Sequence, residues 1–365
     1  MSPPRILALH GPARDDLHRS VLRELAEALR DDGAEVRVAD ALDPCPTPAR
    51  WRPDATLSMS ARDARPEFAT AALTCALDPP FGDPTSPEIP RLLTLYGAPS
   101  GVLSWHRGPY VHSPLWGAPT SLAEISPRGP RPVDVLLVGS WRSPEEHLRA
   151  LRHAVPGDTF ARALDLCAHT LAQPEPLDGA FARRFALADL DPDSARALIR
   201  QVLPRLRAWD RAVRLDAAFN TLCDSDFSVL WVGATSGART ARADHIARVD
   251  PLPFSELRGL CRAVKCVFDP CAAVRDTPLG ASAVMSGARV CSLTTHPFAA
   301  MHQGALGVFA AEGHGWSQSL AEAVEDDHAR ETAQGFAALS LGWDQPARAV
   351  RAAVAGVAER PSIAA

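Results

Sequence analysis

The chain opens with four consecutive apolar residues, Ile6-Leu7-Ala8-Leu9, and breaks at once at His10-Gly11-Pro12. An unbroken run of this length marks a strand buried on both faces, as in a parallel sheet. From Asp16 to Arg30 the rhythm changes to helical spacing, with Leu17, Val21, Leu22, Leu25 and Leu29 on one stripe and Gly33 as the stop. Glu35 to Ala39 then predicts a second strand. Strand, helix and strand in this order join by a right-handed crossover, which makes the strands parallel. Further strands are predicted at 55–59, 71–77 and 101–105.

A Pro/Gly/Arg-rich stretch, Ser126 to Pro132, interrupts the pattern and predicts a domain boundary. Beyond it Val133-Asp134-Val135-Leu136-Leu137-Val138 reads as a strand and Gly139-Ser140 as a turn. A helix follows over 143–153, with Ser143 as N-cap and Glu146 three residues later, the signature of a capping box. Residues 159–223 read as helical, clearest over 193–209, with a kink at Pro204, and over 212–222. The α/β alternation then resumes. Strands are predicted at 228–232, 246–249, 265–268, 289–293 and 306–309, and helices at 254–263, 279–286, 319–329 and 345–359. The domain reading is 1–128, then 129–345 with the helical segment inside it, then a terminal helix and tail over 346–365. Two such halves form a doubly wound pair of Rossmann-like domains.

Composition supports packed cores: 46% of residues are hydrophobic and 22% charged. A formal net charge of −5 without a basic cluster argues against nucleic acid or an anionic membrane as partner. The run Ile6 to Leu9 is too short for a signal-peptide core or a membrane span, so a soluble, cytoplasmic protein is expected. The eight cysteines are scattered without a CxxC, and Cys261, Cys266 and Cys271 fall five apart, which is no usual zinc spacing. They read as small buried hydrophobes. Prolines cluster over 43–53 and 78–90, as stiff connections.

Four stretches carry a family resemblance. Val133 to Ser140 resembles the strand and Gly-Ser turn that open the C-terminal domain of CgeB-like glycosyltransferases, a family named for a spore-maturation protein. Asp210-Arg211 to Leu222, with Ser228 to Gly233, resembles that family's arginine-bearing helix and next strand. His245 to Leu260 is similar to the segment preceding the donor site in many GT-B enzymes. Leu279 to Leu293, with Met285-Ser286-Gly287-Ala288, resembles their helix, Gly-Ala turn and last donor-site strand. The resemblance covers about the last two-thirds of the chain. It implies a GT-B fold, two Rossmann-like domains facing across a cleft, and transfer of a sugar from a nucleotide-activated donor to an acceptor (a protein, a glycan or a small molecule), with no metal and no other cofactor. Two positions depart from the relatives. Ser282 stands where large retaining classes carry a glutamate, and Thr277-Pro278-Leu279-Gly280 stands where CgeB-like proteins carry His-Glu-Arg. A binding or scaffold protein that keeps the shape without the chemistry is therefore the alternative, and a sugar-nucleotide epimerase on the same architecture a third.

A leaving diphosphate needs positive charge or free amides. Asp276-Thr277-Pro278 is a helix start, with Thr277 as N-cap and Pro278 at the first helical position, so the amides of Leu279, Gly280 and Ala281 point at a phosphate. Gly280 allows close approach. An ordinary capped helix explains the same residues. Gly139, Ser140 and Arg142 follow a strand end, where open α/β sheets bind ligands. Arg142 offsets leaving-group charge in this reading and Ser140 bonds phosphate, with the Gly233 turn doing the same from the next strand. His10 and His112 are the candidate general bases, since an imidazole titrates near neutral pH. Thr295 and His296, after the strand over 289–293, are candidates to touch the donor. No paired-carboxylate, Ser-His-Asp or metal-binding motif stands out.

Overall fold

The computed structural model describes residues 3–11, 16–43, 51–59, 68–69, 71–74, 117–119, 121–124, 130–172, 177–234, 244–269, 277–292, 308–310 and 316–358. The elements fall into two compact units.

The first unit is built on a parallel sheet. Strand β1 (Arg5–His10) is followed by helix α1 (Asp16–Asp31), then β2 (Glu35–Asp40), β3 (Ala55–Ser58) and β4 (Ala71–Thr74), in the spatial order β2-β1-β3-β4. Ile6 to Leu9 are wholly buried, as an apolar run between two covered faces requires. The stripe Val21, Leu22, Leu25 and Leu29 of α1 packs on one face beside Val36, Leu57 and Leu73. The same cluster takes in Ala347, Val350 and Val354 of the chain's last helix, Asp344–Ala358. Trp343, just before that helix, donates its indole N–H to Glu24 at 2.8 Å, and Arg351 pairs with Asp32 at 3.1 Å. The chain's end is thus part of the first unit. Gly33, at φ 91°, turns the chain out of α1.

In the second unit a single helical turn, Ser121–Glu124, precedes β5 (Val133–Val138), which is followed by five longer helices: α2 (Pro144–Ala154), α3 (Gly157–Ala172), α4 (Leu177–Arg184), α5 (Pro192–Gln201) and α6 (Leu203–Cys223). Then come β6 (Val229–Val232), β7 (Ile246–Val249), α7 (Phe254–Leu260), β8 (Val264–Asp269), α8 (Thr277–Met285), β9 (Arg289–Ser292), β10 (Val308–Ala310), α9 (Trp316–Glu325) and α10 (Asp327–Ser340). The strands are parallel, in the order β10-β9-β8-β5-β6-β7. Read from β7, this is the 3-2-1-4-5-6 order of a doubly wound dinucleotide-binding sheet. The chain steps outward from β5 through β6 and β7, then returns to lay β8 on the other side of β5. The switch point lies between β5 and β8.

Several helix limits differ from the sequence reading. No kink forms at Pro204. Instead α5 ends at Gln201, and Pro204 sits in the first turn of α6, where a missing N–H breaks no helical bond. Helix α6 then runs unbroken through Asp210 to Cys223, joining the end of the stretch read at 193–209 to the one read at 212–222. Ser143 precedes α2 but makes no side-chain cap, because its hydroxyl bonds Glu145, while Glu146 pairs with Arg142 at 3.7 Å. The helix predicted over 319–329 is two helices. Asp326 divides them and caps α10 by accepting the Ala329 N–H at 2.8 Å. The strand predicted over 101–105 lies outside the described residues. No helix among the described residues is long and apolar enough to cross a membrane.

Candidate functional site

At the switch point the second unit has a cavity of about 120 Å³. Its lining joins segments far apart in sequence: Gly139 after β5, Phe268 and Asp269 at the end of β8, Leu279 and Gly280 in the first turn of α8, and Arg211 from α6. Topology explains the meeting. Leu137 and Phe268 are register partners, so the carboxyl ends of β5 and β8 finish side by side. The first amides of a helix have no partner inside it, and its dipole favours an anion there. Arg211 adds a full positive charge, and Asp269 brings a carboxylate to the same small space.

Helix α6 is held so that Arg211 faces the cavity. One turn on, Leu215 packs against Gly139, where an added Cβ would lie 3.2 Å from the leucine side chain. Leu215, Ala218, Phe219 and Leu222 pack against Val135, Leu137 and Trp231 of the sheet. On the other side Arg214 donates to Asp210 at 2.8 Å and to the Thr170 carbonyl at 3.2 Å, both charged side chains being buried. This pair ties α6 to α3.

The loops after β5 and β6 cross at close quarters. A Cβ on Gly233 would stand 2.0 Å from the Gly139 carbonyl oxygen, so only glycine fits. Trp231 donates its indole N–H to that oxygen at 2.8 Å, and the Gly139 N–H donates to Val232 O at 3.0 Å. The Ser140 hydroxyl accepts from Ala234 N–H at 3.2 Å, and Trp141 N–H donates to Ala234 O at 2.8 Å. Ser140 and Gly233 therefore brace the crossing, while Gly139 lines the cavity.

Helix α8 is gripped at the end away from the cavity. Gln334 donates to the Met285 carbonyl at 3.0 Å. Arg131 donates to the carbonyls of Ser286, Val264 and Cys261, linking α8, β8 and the turn after α7. Gly287 turns the chain at φ 78°, and a Cβ there would meet the Arg131 guanidinium at 2.7 Å. Inside the helix Ser282 is buried and its hydroxyl donates to Pro278 O at 2.8 Å. Thr277, predicted as the cap, is the first helical residue.

Of the other residues singled out from sequence, Ala281 is buried in α8 beneath the cavity lining. Arg142 lies on the surface beside α2 in its pair with Glu146. His10 ends β1, half-buried, its Nδ1 3.4 Å from Gly11 O. It stands at the switch point of the first sheet, where β1 lies between β2 and β3. His112, Thr295 and His296 lie outside the described residues. Burial pushes the Cys167 and Cys261 thiols up to about 12, which makes them inert as nucleophiles. Among the described residues no three His, Cys, Asp or Glu side chains gather as a metal site. Sequence reasoning did not assign Arg211 or Asp269 to the site. The signal for Arg211 was its helix, already singled out by family resemblance; for Asp269 it was a polar residue directly after a buried apolar run.

No protein-family model matches the chain, and no curated protein matches it. Solved structures do. AviGT4, a glycosyltransferase involved in avilamycin A biosynthesis, superposes with a TM-score of 0.54 at 12% identity, over 97% of this chain and 99% of that one. A glycosyltransferase from Rickettsia africae ESF-5 does so at 0.54 and 10% identity, over 99% of this chain and all of that one. At such identities the likeness is one of fold: two parallel α/β sheets in the GT-B arrangement, along nearly the whole chain.

Proposed function

We propose that this chain is a glycosyltransferase whose second unit binds a nucleotide-activated sugar at the β5–β8 switch point and whose first unit serves the acceptor. One observation carries the reading: Gly139, Arg211, Leu279 and Gly280 meet in one cavity. Glycine backbone, a guanidinium and the start of a nine-residue helix are what a diphosphate requires. The order of the motifs from Val133 to Leu293 supports a CgeB-like member of the fold. At about 120 Å³ the cavity is on the scale of phosphate groups rather than of a whole nucleotide sugar. The base and ribose would extend beyond it.

In the transfer an acceptor hydroxyl attacks the anomeric carbon and gives its proton to a base, for which His10 is the candidate. The bond from sugar to diphosphate breaks, and the nucleoside diphosphate leaves with the electron pair. Arg211 and the α8 amides stabilise that departing charge. With these groups in the role usually given to a metal, turnover should survive EDTA. The test is a panel of UDP-, GDP- and dTDP-sugars, followed by thermal shift and by nucleotide release. No stabilisation and no release with any of them refutes the proposal.

A second reading, a binding protein without turnover, draws on Ser282. Its hydroxyl is committed inside the helix at the position where retaining relatives carry a glutamate. Stabilisation by a nucleotide sugar, with no release in the presence of any acceptor, would favour it.

A further inference from the structure

Arg131 belongs to the Pro/Gly/Arg-rich stretch ahead of β5 and has no part in the proposed transfer. It stands between Pro130 and Pro132, and the second proline keeps it in extended backbone. Its guanidinium donates to three main-chain carbonyls, those of Cys261 at 3.1 Å, Val264 and Ser286. Three elements supply them: Cys261 ends α7, Val264 opens β8 and Ser286 directly follows α8. A guanidinium is planar with its donors at fixed angles, so one that satisfies three acceptors fixes their relative positions. Burial and the neighbouring Arg330 charge both work against the charge on Arg131 and lower its pKa.

The bonds join two elements that wall the cavity. Strand β8 ends at Phe268 and Asp269, and α8 runs back from Leu279 and Gly280, so both give the lining the ends far from Arg131. Helix α8 needs such a hold. It is buried from Pro278 to Met285 and carries four small residues in a row, Gly280-Ala281-Ser282-Ala283. Helices pack by setting ridges of side chains into grooves. Small residues make low ridges, which resist sliding along the axis only weakly. A nine-residue helix moves as a rod about 13 Å long, so a shift at Ser286 reappears at Gly280.

Resting on the proposed donor site, we propose that Arg131 is a positioning residue for it. Arg131 sets the place of α8 along its axis against β8, so that the first amides of the helix meet the diphosphate of a nucleotide-activated sugar. It touches no ligand itself. Without this hold α8 slides and the amide-to-phosphate bonds lengthen. The fold persists, because Gln334 still holds the Met285 carbonyl at 3.0 Å.

The experiment is calorimetric titration of wild type, Arg131→Lys, Gly287→Ala and Asp134→Asn with UDP-, GDP- and dTDP-glucose and with the free diphosphates. Near-UV circular dichroism checks that each protein is folded at the temperature used. Lysine keeps the charge but is a point donor, not a planar fork. Alanine at 287 keeps the arginine and displaces it, since the new Cβ would lie 2.7 Å from the guanidinium. Asp134→Asn breaks a charge pair at the same end of the sheet, where the carboxylate holds Ser228 and Lys265 and neither lies in α8. For whichever ligand binds the wild type, Arg131→Lys and Gly287→Ala should each weaken it roughly tenfold, the loss of one charge-assisted hydrogen bond. Asp134→Asn should leave the affinity unchanged, so a loss of stability alone does not reproduce the effect. Wild-type affinity in either of the first two variants, or an equal loss in Asp134→Asn, overturns the positioning role and leaves the donor site standing. A wild type that binds none of the six ligands overturns both.

Discussion

Replacing Gly233 with alanine tests the way the second unit builds its site. The new Cβ would lie 2.0 Å from the Gly139 carbonyl oxygen, 2.6 Å from its carbon and 3.1 Å from the Ser140 nitrogen. These are backbone atoms, so no side-chain rotation relieves the clash, and one of the two loops must move by more than an ångström. Forcing such a shift in a packed region costs about 1–3 kcal/mol. The moving carbonyl also holds the Trp231 indole at 2.8 Å, and the loops share the Trp141-to-Ala234 bond at 2.8 Å. Losing both adds about 1–3 kcal/mol. A total near 4 kcal/mol would lower the melting temperature of the second unit by roughly 8–16 °C. Thermal unfolding followed by near-UV circular dichroism, to which Trp141 and Trp231 contribute, reads this directly. Nucleotide affinity should fall in parallel, because Gly139 is displaced from the cavity. Gly335→Ala is the control: its Cβ meets nothing within 4 Å in the exposed part of α10, so it should stabilise by about 0.5–1 kcal/mol. A Gly233→Ala protein as stable as the wild type, with unchanged affinity, would refute the argument from close approach.

Arg211→Ala should weaken sugar-nucleotide binding by about tenfold or more, the loss of one charge-assisted hydrogen bond, and more strongly at low salt. Arg142→Ala, whose side chain is 62% exposed and paired with Glu146, should change the affinity less than about twofold in the same titrations. Asp134 predicts a pH dependence. Burial alone would raise its carboxyl, but the Lys265 ammonium at 2.6 Å and the Ser228 N–H and hydroxyl at 2.9 and 2.8 Å outweigh it and hold the carboxyl below the usual range. A depressed folded-state pKa adds stability that is complete above the unfolded value near 4 and disappears as pH falls through the folded one. Urea midpoints should therefore be flat above about pH 5 and drop in acid. Asp134→Asn should lower the neutral-pH midpoint, by the equivalent of about 2 kcal/mol, and flatten that acid drop. An unaltered acid limb in the variant would count against the assignment.

Sequence determined the parts that depend on near neighbours. The unbroken runs at Ile6–Leu9 and Val135–Leu137 specified buried parallel strands, because only a strand covered on both faces leaves every position apolar. The stripe of α1 and the glycine stops located helices for the same kind of local reason. Gly139, Leu279 and Gly280 were legible as strand-end and helix-start residues, and they do meet in one cavity. What periodicity cannot report is which strand lies beside which. The pairing of β5 with β8 joins residues some 130 positions apart and is decided by how the whole sheet closes its core. That pairing brings Asp269 to Gly139. The packing of Leu215 on Gly139 in turn sets Arg211 into the cavity. Ser140 and Arg142 share a stretch with Gly139, yet one braces a neighbouring loop and the other pairs on the surface. Adjacency along the chain fixes where a backbone goes, but the direction of a side chain and the company it keeps are set by packing between distant segments.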